Sequence, residues 1–201
     1  MRAPLVAGIV AAGCAALAVP TAAVAAPISQ TPAPGPSGPA PTGALTAQDR
    51  TFLTEAAQGA RFEVAGGRLA ADRGADQRIR AFGERMVRDH SREYQELQNL
   101  DRRLGVAPPA GVAPEQQKIL AIWSGVRGGP FDCSYAPVMF ADHQSDVTAF
   151  MMAAGHTGNP AVRAFAQSQL PMLRQHLQLA DRNLSGLNCA APPRTPSATS
   201  S

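Results

Sequence analysis

The chain has 201 residues, enough for one ordinary domain with terminal extensions, and its formal net charge is +3. Hydrophobic residues make up 45% of the chain but aromatic residues only 5%, which favours closely packed helices over a β-sandwich. The positive charge comes from scattered arginines, since Lys118 is the only lysine. Because the sequence has neither a basic stripe nor interleaved aromatic residues, we expect no nucleic-acid partner.

Residues 1–25 have the pattern of a signal peptide for export. Arg2 supplies a positive charge, an apolar run follows it, and the small residues AVA at 23–25 offer a cleavage site before Ala26. We therefore expect the mature protein to be periplasmic or secreted. Two alternatives stay open, an uncleaved membrane span and lipid attachment at Cys14, and only these would bring the protein into contact with a membrane.

Two further segments have compositions typical of unfolded chain. Residues 26–45 include the proline-rich stretch PISQTPAPGPSGPAPTG, and residues 188–201 form a polar tail that also contains proline. We expect a disordered linker in the first and a disordered tail in the second. Between them, residues 46–187 show helical periodicity almost throughout and no alternating pattern typical of a strand.

The first two long helices are marked by their ends. The first begins at Thr46, with Asp49 in capping-box spacing, and ends near Arg73. The second runs from about residue 75 to Leu104, before Gly105, which suits a left-handed C-cap. The first helix also contains a pair of adjacent glycines, GG at 66–67, which predicts a close approach of another helix.

A connection of about 25 residues follows, with a short helix near 115–124. The third long helix is predicted over 131–154, and the fourth begins after Asn159, with Pro160 at its first position. Four long helices with one long connection predict an all-α, ferritin-like four-helix bundle, in which the connection crosses between the second and third long helices. His156 is expected in an exposed loop.

Three histidines that each follow a methionine by four residues occur in MVRDH (86–90), MFADH (139–143) and MLRQH (172–176). Each lies on the apolar face of a different predicted helix, and a glutamate lies near the middle of the remaining one. Imidazole and carboxylate ligands suit a transition metal such as Cu, Zn or Fe. We predict one metal site; its ligands are His90, His143, His176 and Glu63, with Glu93 and Asp146 as further candidates.

Other interpretations of these residues stay open. Each histidine could instead be a core residue, hydrogen-bonded to a carboxylate such as Asp89 or Asp142. A ferroxidase centre is disfavoured because no Glu-x-x-His motif occurs in the chain. The methionine sulfurs would suit Cu(I), but in a bundle with mixed helix directions at least one lies on the far side of the histidine layer, and core packing is the commoner role.

Four blocks of the sequence resemble a known family. The blocks are FLTEAAQGARFEVAGGRLA, IRAFGERMVRDH, FDCSYAPVMFADH and NPAVRAFAQSQLPMLRQH, within about residues 50–185. They resemble the exported bacterial "domain of unknown function 4142" proteins, which are grouped with ferritin-like folds. The resemblance implies an exported antiparallel helical bundle, with the glutamate and the three histidines named above at the family's recurrent polar positions. It implies no activity.

Cleavage of the export signal would leave Cys133 and Cys189 as the remaining cysteines. Cys133 opens the third long helix and Cys189 lies just past the end of the fourth, so the two meet if these helices form an antiparallel pair. Export favours oxidation, and we therefore predict a disulfide. Its loop of about 57 residues would contribute about 4 kcal/mol to stability by the chain-entropy model.

The sequence gives no support for catalysis by a nucleophile, and whether the protein is an enzyme stays open. It contains no nucleophile elbow and no phosphate-binding glycine loop. Two functions stay open: a metal-binding bundle of the cell envelope, or a metal-free structural or interaction module with a cell-envelope protein partner.

Overall fold

The computed structural model describes residues 43–189, and within that range it contains five α-helices and no β-strand. The helices are α1 (Ala47–Arg73), α2 (Gln77–Leu104), α3 (Pro114–Ser124), α4 (Gly129–His156) and α5 (Pro160–Ser185). The all-α prediction is confirmed. The predicted export signal, Cys14 and most of the predicted linker and tail lie outside the described residues.

The four long helices pack with their neighbours antiparallel. α1 lies along α2 and α4 lies along α5, while α1 also contacts α4 and α2 contacts α5. Asp49 at the start of α1 hydrogen-bonds Thr157 just after α4, and Arg78 at the start of α2 hydrogen-bonds Gly186 just after α5. α2 and α4 are therefore parallel and diagonal, and the connection between them runs back along the bundle, as the predicted crossover requires.

The helix ends agree with the capping residues in the sequence. Thr46 and Asp49 form a capping box at α1, Asn159 accepts hydrogen bonds from the first turn of α5, and Gly105 ends α2 in the left-handed conformation at φ 67°. One expectation is wrong: α4 continues to His156, so this histidine ends a helix rather than lying in a loop, although it is exposed.

Three glycines allow close packing around α1. A Cβ atom added at Gly67 would lie 2.6 Å from the carbonyl oxygen of Gly83, and one added at Gly83 would lie 2.5 Å from that of Gly67. A Cβ atom at Gly66 would lie 2.8 Å from the ring of Trp123 on α3. The adjacent glycines weaken the helix locally, but they let α2 and α3 approach α1, as predicted.

The buried residues form two apolar clusters with a polar layer between them. The first cluster includes Phe52, Leu53, Leu97, Phe150 and Phe165. The second cluster has as its largest members Phe62, Phe82, Trp123, Phe131 and Tyr135. Between these halves of the bundle lie five buried polar residues, which we call the central layer: Glu63, His90, Glu93, His143 and His176.

Cys133 and Cys189 are joined by a disulfide, with their Cα atoms 5.6 Å apart. The bond connects the second turn of α4 to the segment after α5, and the predicted pairing is therefore present in the structure. Among residues 43–189, none of the helices combines the length and the hydropathy needed to cross a membrane.

Candidate metal centre

All four long helices contribute to the central layer, with Glu63 from α1, His90 and Glu93 from α2, and one histidine each from α4 and α5. The three histidine side chains are fully buried, and Glu63 is only 2% exposed. One ring nitrogen from each of the three histidines lies within 4.8 Å of the other two. The structure thus brings together the four residues that the sequence predicts as ligands.

His143 has a fixed tautomer that leaves one nitrogen without a hydrogen. Its Nδ1 donates to the carbonyl oxygen of Met139 at 2.9 Å. Burial, and then the positive charge of His90, lower the pKa of His143 to about 3, so the ring is neutral. Its Nε2 therefore carries a lone pair, which lies 3.2 Å from Glu63 Oε1 without a hydrogen bond between the two atoms.

His176 is held in the opposite tautomer. Its Nε2 lies 2.9 Å from Asp89 Oδ2, an acceptor, so this nitrogen carries the hydrogen. Burial, and then the charge of His90, lower the pKa of His176 to about 4 although the hydrogen bond to Asp89 acts to raise it. The lone pair of this neutral ring is on Nδ1, which lies 3.2 Å from His90 Nε2.

His90 differs because two carboxylates contact the same ring nitrogen. Its Nδ1 lies 2.6 Å from Glu93 Oε2 and 2.9 Å from Glu63 Oε2. Burial acts to lower the pKa of His90, but these two carboxylates outweigh it and hold the pKa well above the ordinary value. In the metal-free layer His90 is therefore an imidazolium, and its Nε2 donates to the lone pair of His176.

The three rings share one arrangement. The outer nitrogen of each donates to a backbone carbonyl or a carboxylate, as metal-bound histidines commonly do, and the inner nitrogen is directed into the layer. Loss of one proton from His90 Nε2 would leave three converging lone pairs beside Glu63 Oε1. The arrangement can bind a cation through three nitrogens and one oxygen.

Two aspartates on α4 border this layer. Asp142 offers an oxygen within 4.8 Å of ligand atoms of Glu63 and His143, and its Oδ2 is buried without a hydrogen bond, as is Oδ2 of Asp146 one turn later. Burial, and then the charge of Glu63, raise the pKa of Asp142 to about 8. Two carboxylates were expected to hydrogen-bond a core histidine. Asp89 does so with His176, whereas Oδ2 of Asp142 has no hydrogen bond.

The methionines lie on both sides of the layer. Met86 and Met139 belong to the second apolar cluster, whereas Met172 packs against the first. The expectation that the three sulfurs cannot share one side is confirmed. Met152 also precedes His156 by four residues, a fourth instance of the spacing, and this pair is exposed near the end of α4. The spacing itself therefore does not mark the centre.

Comparison with known proteins adds the family and the fold. No curated protein has a significant match to this sequence. A crystal structure of a DUF305 fragment from Deinococcus radiodurans superimposes with a TM-score of 0.62 over 72% of this chain and 99% of that chain. At 15% identity this likeness shows the fold alone. The model of the family described as "Domain of unknown function (DUF4142)" matches residues 34–182, and the chain therefore belongs to the DUF4142 family.

Proposed function

We propose that this protein binds a transition-metal ion in the central layer. The ligands are His90 Nε2, His143 Nε2 and His176 Nδ1, with Glu63 Oε1 as the fourth. The observation that carries the proposal is the contact between His143 Nε2 and Glu63 Oε1, two buried acceptor atoms that face each other at 3.2 Å with no hydrogen bond.

Such a contact is unfavourable in the core unless a proton or a cation lies between the two atoms. A buried polar group left without a partner costs about 1–3 kcal/mol, and a lone pair beside a carboxylate oxygen adds repulsion. A metal ion coordinated by both atoms removes the two deficits together. The same ion would accept the lone pairs of His90 and His176, whose outer nitrogens are already committed to carboxylates.

The ligand set narrows the choice of metal and of role. Three imidazoles and a carboxylate suit Zn(II), Cu(II) or Fe(II), whereas the thioether sulfurs that would favour Cu(I) belong to the apolar clusters. Four protein ligands complete a tetrahedral shell, which favours binding or buffering over hydrolysis, since hydrolysis needs an open position for water. The Cys133–Cys189 disulfide supports an oxidising, exported location in the cell envelope.

One observation favours the alternative, a metal-free structural or interaction module. Protonated His90 contacts Glu63 and Glu93 through Nδ1 and donates to His176 through Nε2, so much of the layer is satisfied without an ion. In that case burial, which raises the pKa of Glu63, would place a proton on Glu63 facing His143.

A metal titration on matched histidine variants distinguishes these functions. Protein stripped with a chelator is titrated with Zn²⁺, Cu²⁺ and Fe²⁺, and bound metal is measured by elemental analysis after gel filtration. We expect tight binding in wild type and in His156→Ala, the exposed histidine with the same methionine spacing. His143→Ala and His176→Ala should lose it.

Thermal melting provides a second measurement. An ion present at 100 times its dissociation constant stabilises the folded state by about 2.7 kcal/mol, so the melting temperature of wild type and His156→Ala should rise with metal. If added metal gives the same metal content and the same change in melting temperature in all four proteins, the histidines are core residues and the interaction module is supported.

A further inference from the structure

We infer that a groove between α2 and α5 binds a small organic phosphate, a phosphate monoester that carries an apolar or aromatic group. The groove has a volume of about 650 Å³, which is within the range of small-molecule sites in proteins. It lies outside the central layer, and the inference does not rest on the proposed binding of a metal.

Arginine side chains from both helices line this groove. Arg78, Arg85 and Arg88 follow one another along α2 at intervals of seven and three residues, which places them on one face of the helix. Arg182 lines the groove from α5. These arginines are far apart in the sequence, and the antiparallel packing of α2 and α5 brings them together.

Three of these arginines have no counter-charge in the part of the chain that the structure describes. Arg78 forms an ion pair with Asp76. Arg85, Arg88 and Arg182 belong to none of the ion pairs among residues 43–189. Guanidinium groups that converge without counter-charges repel one another, so a bound anion would stabilise their arrangement.

A buried amide lines the same groove. Asn183 is only 6% exposed, and within residues 43–189 its side chain forms no hydrogen bond. By contrast, Asn159, which is also buried, accepts a hydrogen bond from Ala161 and donates one to Gly43 through its side chain. Buried amides normally have partners, so Asn183 indicates, independently of the arginines, that a polar ligand occupies the groove.

The charges of the groove favour a dianion. Glu84 is the acidic residue among those that line it, and Asp76 already offsets the charge of Arg78. The three unpaired arginines, less Glu84, leave two positive charges. A phosphate monoester carries a charge of about −1.5 to −2 at pH 7, and guanidinium groups bind its oxygens in bidentate pairs.

Apolar side chains in the groove account for the organic part of the ligand. Ala81, Phe82 and Leu179 line it together with the arginines. Inorganic phosphate would leave this apolar surface in water, whereas an attached aryl or alkyl group would cover it. The ring of Phe82 also packs against His143 and His176, at centroid distances of 6.0 and 6.3 Å, so it lies between the groove and the central layer.

The test titrates the mature, disulfide-bonded chain with phenyl phosphate by calorimetry, in the presence of a chelator so that no bound metal can hold the anion. We expect one phenyl phosphate per chain in wild type, with an affinity that falls as the salt concentration rises. The groove variant Arg85→Gln/Arg182→Gln should bind about a hundredfold more weakly, since each hydrogen bond to a charged group is worth roughly tenfold. The matched control Arg103→Gln/Arg174→Gln removes two exposed arginines from the same two helices and should bind like wild type.

A single variant separates recognition of the ligand from folding. Leucine is close to asparagine in size and needs no hydrogen-bond partner, so Asn183→Leu should melt no lower than wild type. It should nevertheless bind phenyl phosphate about tenfold more weakly, because one donor to the phosphate is lost. Unchanged affinity in Asn183→Leu would contradict the role of the amide.

Three outcomes would overturn the inference. The site is wrong if wild type does not bind phenyl phosphate, or if the groove variant and its control bind it equally. Equal affinity for inorganic phosphate and phenyl phosphate would exclude a role for the apolar surface and with it an organic ligand. Binding to phosphatidylcholine vesicles that contain phosphatidic acid, with none to phenyl phosphate, would assign the groove to a membrane surface instead.

Discussion

At one end of the bundle, Asp49 accepts hydrogen bonds from Thr46 and Thr157, and Asn159 caps α5 while donating to Gly43. In the central layer, by contrast, Glu63 Oε1 and His143 Nε2 face each other without a hydrogen bond. We call the first region the end network; its members are Thr46, Asp49, Thr157 and Asn159. Asp49 and Glu63 are both buried, at 4% and 2% exposed.

The pKa values of these two acids shift in opposite directions. Burial acts to raise the pKa of Asp49, but hydrogen bonds from Thr157 and Thr46 outweigh it and lower that pKa. Burial also raises the pKa of Glu63, and there it prevails over the charge of His90. Burial of a carboxylate therefore does not by itself indicate a binding site. The number of donors around it distinguishes an acid that stabilises the fold from one that is available to a cation.

Removal of His90 should have the largest effect on the metal-free protein. His90→Ala would leave Glu63 and Glu93 buried without their positive partner, which typically costs about 3–5 kcal/mol. Urea denaturation of the chelator-stripped variant measures the loss. The exposed control His156→Ala should stay within about 0.5 kcal/mol of wild type. A loss below about 1 kcal/mol for His90→Ala would contradict a stabilising role for the contacts of His90 with Glu63 and Glu93.

Removal of Asp49 should have a smaller effect that does not depend on metal. Asp49→Ala deletes the capping box and leaves Thr157 without its acceptor, for an expected cost of about 2–3 kcal/mol. The same loss should be measured by urea denaturation with and without Zn²⁺, because the end network lies away from the central layer. Glu55→Gln, an exposed change on the same helix, is the control. A cost for Asp49→Ala that changes with Zn²⁺ would contradict the separation of the two regions.

The helix caps within the end network were readable from the sequence because they are local, whereas the hydrogen bonds from Thr157 to Asp49 and from Asn159 to Gly43 join distant parts of the chain and were not predicted. The capping box of Thr46 and Asp49, the cap at Asn159 and the C-cap at Gly105 follow from residue types within one helical turn. The disulfide was also predicted, because an antiparallel pair of helices brings Cys133 and Cys189 to the same end of the pair. The packing of Trp123 against Gly66 was not predicted, because it depends on where the crossing connection places α3.

The sequence predicted most of the residues that form the central layer, but not which of their atoms carry a hydrogen or lack a donor. Helical periodicity places Glu63, His90, His143 and His176 on inward faces, and the structure brings them together. Which nitrogen of each ring carries the hydrogen depends on partners across helices, and so does the lack of donors around Asp142. Asp142 is the residue next to His143, and its position between α1 and α4 depends on the rotation of α4, which periodicity alone does not determine.

The pH dependence of stability should separate the two regions, with the smallest change expected for the single variant Asp142→Asn. The raised pKa of Asp142, about 8, means that the folded state holds a proton that the unfolded state releases near pH 4. Stability from this proton is complete below pH 4 and is lost as the pH rises through about 8. Asp49, whose pKa is lowered, has the opposite sign and loses its contribution only at acidic pH.

Between pH 7 and 8, therefore, the stability of the metal-free protein should fall because of the central layer and the two aspartates that border it. His143 and His176, with pKa values lowered to about 3 and about 4, stay neutral there in the folded state and contribute only a small slope of opposite sign, because unfolded histidines, with a pKa of about 6.5, are already mostly neutral. Glu63 and His90, whose pKa values are raised, add to the fall. Each group contributes up to about 1.4 kcal/mol per pH unit, and Asp142→Asn should flatten the curve of melting temperature against pH.

Metal affinity should change in the opposite direction over the same range. Ligation needs neutral His90, and its raised pKa means that protons compete with metal above pH 6.5, the value expected from an ordinary imidazole. The affinity for Zn²⁺, measured against a chelator of known pH dependence, should rise from pH 7 to 8 while the metal-free melting temperature falls. An affinity already constant above pH 6.5 would show that His90 is neutral in the metal-free layer and that Glu63 and Glu93 do not hold its proton.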